Sequence, residues 1–411
     1  MGINVNPVRG TYDYPPIQAE NREIIKQKIL KSYQENGFSL IETPVLENLS
    51  LLDSSEGGDN LRLMFKTVKR GAQLDLTKLN LTEKDITEEG LRYDLTVPLA
   101  RFYAGNREML PNPFKAIQIG YSFRAERPQK GRNRQFVQCD IDIFGDESVN
   151  AEIEIITTVM NTYSNLGLNN VIMKVNSRKI LNSLVKFCGF NDEDINSVCI
   201  TLDKFDKIGI AGIKEELISK GFDTDNVSIL IKASEDIKKN GLNVASNYGV
   251  SSQDIDEMKY IIDTSNIVIS NGKCEFDLSI IRGQGYYTGT VYEAYADGFS
   301  GAIGGGGRYD KMIEKLIGIN VPAVGFGMGF ERVYIILSEQ QKMQKDKLKI
   351  ALIYDKADDY AKVLIKKQEL MKDYCVSTYL RAKNMKAMLD RLKFANFDGF
   401  AVMSDGEIKI I

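Results

Sequence analysis

Five cations crowd one short stretch of the chain, between Phe123 and Phe136. Apolar residues alternate on both sides of this stretch, a pattern that predicts two strands joined by a charged loop too polar for a protein core. Basic runs are usually solvated surfaces, but arginines are also the side chains that bind phosphates. By itself, the stretch predicts either a solvated loop or a phosphate site. Its cations are Arg124, Arg127, Lys130, Arg132 and Arg134.

A glycine-rich element lies far downstream, at Gly325–Arg332. Its glycines occupy every second residue, which on a strand leaves one face bare, so that a flat ring or a ligand backbone could lie there. Glu331 and Arg332 fall at a predicted helix start, where a guanidinium could stack on an aromatic base. The spacing fits neither the dinucleotide nor the P-loop motif, and alone it indicates tight strand–helix packing. Together with the arginine-rich stretch, it indicates a nucleotide site.

Two further segments place polar side chains at alternate positions, which point to one face of a strand. An ammonium group suits Asp94, Thr96 and Gln138. A ring N–H suits Asp142 with a tyrosine hydroxyl, although buried tyrosines are more often structural. The two faces would form a pocket for a small polar cation. The residues concerned are Arg92, Asp94 and Thr96, then Gln138, Asp140 and Asp142, with Tyr287 and Tyr309 nearby.

The chain contains no histidine, which excludes a Ser-His-Asp triad, a histidine general base and a histidine-ligated metal. The five cysteines are odd in number and lack CxxC spacing, so we expect no zinc site and a reducing cytoplasm. Any chemistry must therefore use arginine, carboxylate, amide and tyrosine groups, with Mg²⁺ as a candidate cofactor.

The length of 411 residues predicts more than one domain. A net charge of −3 means that a polyanionic partner must be met by local basic patches. No apolar run has the length of a membrane span, and the N-terminus lacks a signal-peptide core, so we expect no membrane association.

Hydrophobic periodicity and turn residues predict an alternation of helices and strands along the chain. A helical texture from about 178 to 263 indicates an insertion, and a polar linker precedes a C-terminal βαβαβ module. The predicted elements are a helix over Pro15–Asn36 closed by Gly37, strands over Phe38–Thr43, Pro113–Arg124, Gln135–Phe144, Val171–Val175, Glu275–Ile281 and Gly289–Tyr295, a helix over Ser148–Leu166, a turn at Gly304–Gly307, a helix from Lys311, and the module over Ile350–Met403.

With these motifs in this order, the chain resembles the histidyl-tRNA synthetases, a family of class II aminoacyl-tRNA synthetases. The resemblance implies an α+β fold with an antiparallel catalytic sheet flanked by helices, a homodimer, ATP with Mg²⁺, and L-histidine and tRNA(His) as substrates. It runs from Arg9-Gly-Thr-Tyr-Asp-Tyr14 to Arg332 and includes the class II signature around Pro44, the Phe123–Gln138 segment, and two histidine-specific signatures, Arg282–Tyr287 and Gly306–Asp310.

The resemblance also implies the domain organisation. Residues 1–325 form the catalytic domain, whose core continues to about 338, and the helical insertion at 178–263 interrupts it. Residues 347–411 form a short α/β domain like those that bind anticodons. The family's domain continues into further strand and helix beyond the point that corresponds to Met403, so the resemblance implies a shortened anticodon-binding domain.

Carried over position by position, the resemblance implies roles for individual residues. Arg124 would bind the α-phosphate, Arg332 the adenine, and Arg282 would act with Arg124 as a catalytic cation. The family usually has an acid where this chain has Gly285, next to Tyr286 and Tyr287. The remaining roles are Glu126 and Arg132 at ATP, Asp94, Thr96 and Gln138 at the amino group, Asp142, Tyr286, Tyr287 and Tyr309 around the imidazole, and Arg127 and Gln129 at the tRNA acceptor end.

Two other functions fit the same resemblance. The regulatory subunit of ATP phosphoribosyltransferase is a paralogue that binds histidine without synthetase chemistry and generally lacks the anticodon module. A paralogue that acts on a substrate other than tRNA is the second alternative. The presence of Arg124, Arg282 and Arg332, with a C-terminal α/β module, favours the histidine–tRNA ligase.

Overall fold

The computed structural model describes residues 3–53, 62–281, 286–339, 347–404 and 407–411. Contacts between residues divide the chain into two compact units. The smaller comprises Met1–Val8, Tyr12–Gln27 and Gln340–Ile411, and the larger comprises Arg9–Thr11 and Lys28–Glu339. Within the described ranges, no helix is both long enough and apolar enough to cross a bilayer.

The larger unit is built on an eight-stranded sheet beside a three-stranded one, ordered β1-β5-β6-β11-β10-β9-β7-β8 and β2-β4-β3. The pairs β1–β5 and β7–β8 are parallel and the other neighbours in the large sheet are antiparallel. The strands are β1 (Ser39–Leu40), β2 (Leu46–Asn48), β3 (Lys66–Val68), β4 (Thr87–Leu91), β5 (Phe114–Phe123), β6 (Gln135–Phe144), β7 (Ile172–Ser177), β8 (Lys273–Phe276), β9 (Thr290–Tyr295), β10 (Gly304–Arg308) and β11 (Ala323–Gly329).

Helices flank this sheet or fill the long connection between β7 and β8, and the predicted α+β class is confirmed. The helices before residue 340 are α1 (Pro16–Glu35), α2 (Leu49–Asp53), α3 (Glu83–Ile86), α4 (Thr96–Asn106), α5 (Asn150–Asn165), α6 (Arg178–Phe187), α7 (Ile195–Leu202), α8 (Phe205–Ser219), α9 (Thr224–Asn240), α10 (Ser252–Val268), α11 (Lys311–Ile317) and α12 (Phe330–Glu339).

The charged stretch lies where the sequence predicts it, between two long antiparallel strands. β5 and β6 pair from Phe114 opposite Phe144 to Phe123 opposite Gln135. Alternate residues of β6 such as Ile141 and Ile143 are buried, and burial of such side chains contributes roughly 1.5–3 kcal/mol each. The predicted hairpin is therefore confirmed, with the arginine-rich loop at its end.

The predicted turn at Gly304–Gly307 is wrong, because these glycines form β10. None of the four has a positive φ, so turn geometry is not the reason for glycine here. A Cβ on Gly306 would lie 1.9 Å from the backbone oxygen of Gly325, on the neighbouring β11. Glycine is required here because the two strands approach each other closely. The amino-acid composition of the segment does not distinguish this role of glycine from its role in turns.

The predicted strand through Arg92, Asp94 and Thr96 is also wrong. β4 ends at Leu91, and Thr96 is the first residue of α4. Pro98 fits the first turn of a helix, where its missing N–H leaves no hydrogen bond unmade. Arg92 does not share a face with Asp94 and Thr96. Its guanidinium donates to the backbone oxygens of Tyr121 and Thr43, each at 2.8 Å.

The segment predicted to be a helical insertion is helical, with α6 to α10 running from Arg178 to Val268. α9 carries buried apolar residues such as Val227, Leu230 and Ile237 on one face, as amphipathic helices do. Its N-terminus is capped by Asp223, whose carboxylate accepts from the backbone N–H groups of Asp225 at 2.9 Å and Asn226 at 3.0 Å.

We expect Asp223→Ala to lower the free energy of unfolding by about 1 kcal/mol, because two backbone donors lose their acceptor. Urea unfolding would measure the loss, and hydrogen exchange would localise it to α9. Asp225→Ala is the matched control, since that carboxylate lies in the same turn but is not the cap, and we expect less than about half the effect. Equal losses for the two variants would contradict a capping role.

The C-terminal part of the smaller unit forms the predicted βαβαβ module, with one strand more. Its sheet has the order β13-β12-β14-β15, parallel except for the last pair. Ala351, Leu392 and Phe397 form part of its buried core. The elements are β12 (Lys349–Tyr354), α13 (Tyr360–Leu370), β13 (Cys375–Leu380), α14 (Met385–Phe394), β14 (Gly399–Val402) and β15 (Lys409–Ile410).

Candidate active site

A cavity of about 330 Å³ opens on the central strands of the large sheet. Its walls combine the end of the arginine-rich stretch, the polar face of β6, the glycines of β10 and β11, and the start of α12. The predicted site residues that line it are Asp94, Thr96, Arg124, Glu126, Arg132, Gln138, Asp142, Tyr286, Tyr287, Tyr309 and Arg332.

The floor of the cavity comes from the register between β6 and β11. Three polar residues of β6 each stand opposite a glycine of β11, and opposite residues of neighbouring strands share a face. The pairs are Gln138 with Gly329, Asp140 with Gly327, and Asp142 with Gly325. A Cβ on Gly325 would lie 1.7 Å from Asp142 Oδ1, so the missing side chains of β11 make room for the polar side chains of β6.

Asp94 lies just before α4 and uses one oxygen to hold the helix. Its Oδ1 accepts from the backbone N–H of Val97 at 3.1 Å. Its Oδ2 is buried and meets no donor among the residues that the structure describes. Burial raises the pKa of Asp94 to about 6. A buried carboxylate oxygen without a donor costs free energy, so it provides a place for a cationic ligand.

Gln138 presents a second acceptor to the cavity. Its Nε2 donates to Asp140 Oδ2 at 3.2 Å. Its Oε1 is buried and likewise has no donor within the described part of the chain. Gln138 Oε1 and Asp94 Oδ2 are therefore both open to the N–H donors of an ammonium group, which has three donors and no acceptor.

Asp142 and Tyr309 form a hydrogen-bonded pair at the same end of the cavity. The Tyr309 hydroxyl donates to Asp142 Oδ1 at 2.5 Å, and the ring of Tyr286 meets that of Tyr309 edge-on at 6.1 Å. Burial raises the pKa of Asp142 to about 7, against the hydrogen bond from Tyr309, which lowers it. A carboxylate and a phenol walled by aromatic rings suit a flat ring that carries an N–H.

Tyr309 is held in place by a buried ion pair on the preceding residue. Arg308 donates through Nε to Glu152 Oε1 at 2.7 Å, and both side chains are almost completely buried. The Arg308 guanidinium also donates to the backbone oxygens of Asp146 and Ser148, each at 3.0 Å. This network ties β10 to the region before and within α5, and so fixes the direction in which Tyr309 leaves the strand.

The other end of the cavity is cationic. Arg124 donates through Nε to the backbone oxygen of Tyr93 at 3.0 Å, and its guanidinium carbon lies 5.2 Å from the centre of the Phe136 ring. Arg132 forms an ion pair with Glu126. Arg332 donates to the backbone oxygen of Ala302, and its guanidinium lies 5.5 Å from the ring of Phe299. Guanidinium groups held in this way suit phosphates and a flat base.

Two predicted site residues do not line the cavity, and a third lies outside the described part of the chain. Arg127 and Gln129 are exposed on the loop between β5 and β6 and do not line it. Arg282 lies outside the described residues, as does the neighbouring Gly285, for which no site role was predicted. The sequence prediction assigned no role to Asp140 or to Glu293, both of which line the cavity. Period two on β6 already indicated the face of Asp140, whereas nothing in the sequence distinguished Glu293.

This arrangement defines a class II aminoacyl-tRNA synthetase core. A mostly antiparallel sheet carries an arginine-bearing hairpin and, at the start of the helix that follows its last strand, a further arginine, and both arginines line the cavity. Solved structures share this fold. A histidyl-tRNA synthetase from Nostoc sp. PCC 7120 matches with a TM-score of 0.77 at 22% identity, covering 100% of this chain and 97% of that one.

A second solved structure, an ATP phosphoribosyltransferase regulatory subunit/histidyl-tRNA synthetase from Bacillus halodurans, has a TM-score of 0.78 at 18% identity, with 98% of each chain covered. At these identities, the two likenesses show the fold alone.

Sequence comparisons show the family. A family model described as histidyl-tRNA synthetase matches residues 10–333. A histidine–tRNA ligase of Leifsonia xyli subsp. xyli is 38% identical, over 98% of this chain and 96% of the relative. A probable histidine–tRNA ligase of Tropheryma whipplei is 35% identical, over 97% and 95%. The chain belongs to the histidyl-tRNA synthetase family, a family of enzymes that use ATP.

Proposed function

We propose that the chain is a histidine–tRNA ligase, which activates L-histidine with ATP and transfers it to tRNA(His). One observation carries the proposal: a single cavity holds acceptors for an ammonium group and a ring N–H at one end and arginines at the other. A histidyl-adenylate needs both sets of contacts, joined through the α-phosphate.

The amino-acid end would bind histidine through two groups, the ammonium group and the imidazole ring. Asp94 and Gln138 would accept from the ammonium group, with Thr96 beside them on the first turn of α4. Asp142 and Tyr309 would face the imidazole, between Tyr286 and Tyr287. The cavity supplies one carboxylate to the ammonium group and another to the side chain of the amino acid. An amino acid with a side chain of similar size to imidazole but without an N–H would leave the buried Asp142 unpaired, so the cavity selects histidine.

The nucleotide end would act by electrostatics. Attack of a carboxylate on the α-phosphate brings like charges together, so fixed cations aimed at the developing charge lower the barrier. Arg124 would supply one, and the family resemblance implies Arg282 as the second. Arg332 would stack on the adenine, with Glu126 and Arg132 completing the contacts to the nucleotide.

Mg²⁺ would arrive with ATP. The described residues contain no cluster of three acidic or cysteine ligands that would hold a metal ion by itself. Mg²⁺ is usually held by one or two carboxylates together with substrate phosphates, and Glu126 and Glu293 line the cavity. The ion would supply further positive charge at the phosphates.

Two assays in sequence test the proposal against its rivals. Histidine-dependent exchange of pyrophosphate into ATP should be observed, and its absence would favour the regulatory paralogue. Charging of tRNA(His) with histidine should follow, and its absence beside normal exchange would favour a paralogue with another acceptor.

The family resemblance further implies a homodimer, anticodon recognition and a cytoplasmic location. Analytical ultracentrifugation would test the dimer.

We expect Arg127→Ala to raise the KM for tRNA(His) about fivefold, with pyrophosphate exchange unchanged, because a surface cation contacts RNA phosphates but not the small substrates. Arg127 is exposed and outside the cavity. Steady-state aminoacylation at two salt concentrations would measure the effect. Lys115→Ala is the matched control, since that cation pairs with Glu154 instead. An equal change in exchange would contradict the acceptor-end role of Arg127.

A further inference from the structure

Asp140 is a buried carboxylate in the cavity that none of the proposed contacts uses. It lies on β6 between Gln138 and Asp142, on the same face, and is 3% exposed. Burying a carboxylate is costly unless it is hydrogen-bonded or paired with a cation. Its position next to the amino-acid end therefore calls for a physical reason.

Of the side chains that the structure describes, Gln138 is the one that donates a hydrogen bond to Asp140. Its Nε2 lies 3.2 Å from Oδ2 and 3.5 Å from Oδ1. Gln118, directly opposite Asp140 on β5, is occupied elsewhere. Its Oε1 accepts from Thr43 and its Nε2 donates to the backbone of Leu95, each at 2.8 Å.

The neighbouring strand β11 provides the space that this pair occupies. Gly327 stands opposite Asp140 on β11. A Cβ on Gly327 would lie 3.0 Å from Asp140 Oδ1 and 3.3 Å from Gln138 Nε2, closer than most real Cβ contacts. The glycine therefore leaves space for two side chains that lie against each other and against the bare backbone of β11.

An ionised carboxylate is only an acceptor, so it selects the amide nitrogen of Gln138 and turns Oε1 the other way. That oxygen is buried in the cavity wall without a donor among the described residues. A glutamine turned the opposite way would present its NH₂ group to an ammonium ion and repel it.

We propose that Asp140 is a positioning residue, which holds the Gln138 carboxamide with its oxygen towards the α-ammonium group of the amino-acid substrate. The inference rests on the proposed function and assigns a specificity role within it. Asp140 also passes negative charge through the amide to the ammonium group, as hydrogen bonds in a chain polarise one another.

The charges around Asp140 are consistent with a site completed by a cation. Burial and the neighbouring carboxylates of Asp142 and Asp94 raise the pKa of Asp140 well above its usual range, against the opposing effects of Arg124 and Arg92. A bound ammonium group would offset this cost by favouring the ionised form.

The test compares two ligands that differ only in the ammonium group, L-histidine and 3-(imidazol-4-yl)propanoate. Calorimetry, with competitive displacement for weak binding, would measure both dissociation constants. We expect Asp140→Asn and Asp140→Ala to weaken histidine binding at least about tenfold, as hydrogen bonds to charged groups do, and to change binding of the propanoate by less than about threefold. Equal losses for the two ligands would overturn the inference.

A double-mutant cycle separates action through Gln138 from direct contact with the ligand. In a Gln138→Ala background, Asp140→Asn should add less than about twofold to the loss for histidine. Losses that multiply would mean that Asp140 touches the ammonium itself and would refute the positioning role. Asp263→Asn, on the exposed face of α10, is the control for a general change in charge.

The same measurements keep the two proposals apart. A wild-type protein that binds neither ligand and lacks histidine-dependent exchange would refute the proposed function. A wild-type protein that binds histidine, with Asp140 variants that bind it equally well, would refute only the inference about Asp140. Circular dichroism melting of each variant would show that it is folded.

Discussion

An Arg124→Gln variant is expected to form the adenylate about 10²–10³ times more slowly than the wild type, because one fixed cation aimed at developing charge is worth that much in other enzymes. Its guanidinium is held by the backbone oxygen of Tyr93 and lies near the Phe136 ring. Such a preorganised cation needs no rearrangement as charge builds on the α-phosphate. Pre-steady-state adenylate formation would measure the change.

Histidine affinity of this variant should stay within about threefold of the wild type, since a loss confined to the rate marks an interaction made mainly in the transition state. Arg124→Lys should recover only part of the rate, because an ammonium cannot reproduce the guanidinium fork. Arg127→Ala is the control from the same arginine-rich stretch, with pyrophosphate exchange unchanged. A variant at Arg124 that turned over normally would remove this residue from the catalytic set.

Asp142→Asn is expected to stabilise the ligand-free protein at pH 8 while weakening histidine binding by about 100-fold or more. The wild type must hold a buried carboxylate whose pKa is raised to about 7, chiefly by burial. The unfolded chain holds this carboxyl with a pKa of about 4. Because the pKa is higher in the folded protein, the contribution of Asp142 to the free energy of unfolding is fully present below pH 4 and is lost as the pH rises through about 7. The asparagine avoids this loss.

The predicted gain in the free energy of unfolding is on the order of 2–4 kcal/mol at pH 8 and close to zero near pH 4. Urea unfolding without histidine at the two pH values would measure it. Tyr309→Phe is the matched control, because it keeps the carboxylate but removes its donor, and so should lower stability at pH 8. A less stable Asp142→Asn protein at pH 8 would show that the ionised carboxylate is well compensated.

Together, these two variants separate the ends of the cavity. Loss at Arg124 should appear in the rate of the chemical step, and loss at Asp142 in the binding of the amino acid. The gain in stability at position 142 would also show that the substrate site is held at a cost to the ligand-free fold, as is common for functional sites.

Most of the candidate site was predictable because period two on a strand is a local property. Gln138, Asp140 and Asp142 are on one face of β6 simply because alternate residues of a strand point the same way. The glycines of β11 followed the same rule, and the helix start at Phe330 followed from the pattern after them.

The errors arose where one residue type serves two structural purposes. Glycines mark turns, but in β10 they permit close approach to β11 and β9. Alternation at Arg92, Asp94 and Thr96 looked like a strand, yet Asp94 accepts a hydrogen bond at the first turn of α4. The local pattern could not show which neighbours would supply the hydrogen bonds.

Amino-acid types and their local order sufficed to predict the hairpin, the bare glycine face and a chemistry without histidine. Partners across the sheet were settled only by the fold, because β6 and β11 are far apart in the chain and meet through strand pairing. That pairing sets Asp142 against Gly325 and brings Arg124 and Arg332 into the same cavity. Distances between residues remote in sequence depend on packing of the whole sheet, which no local pattern contains.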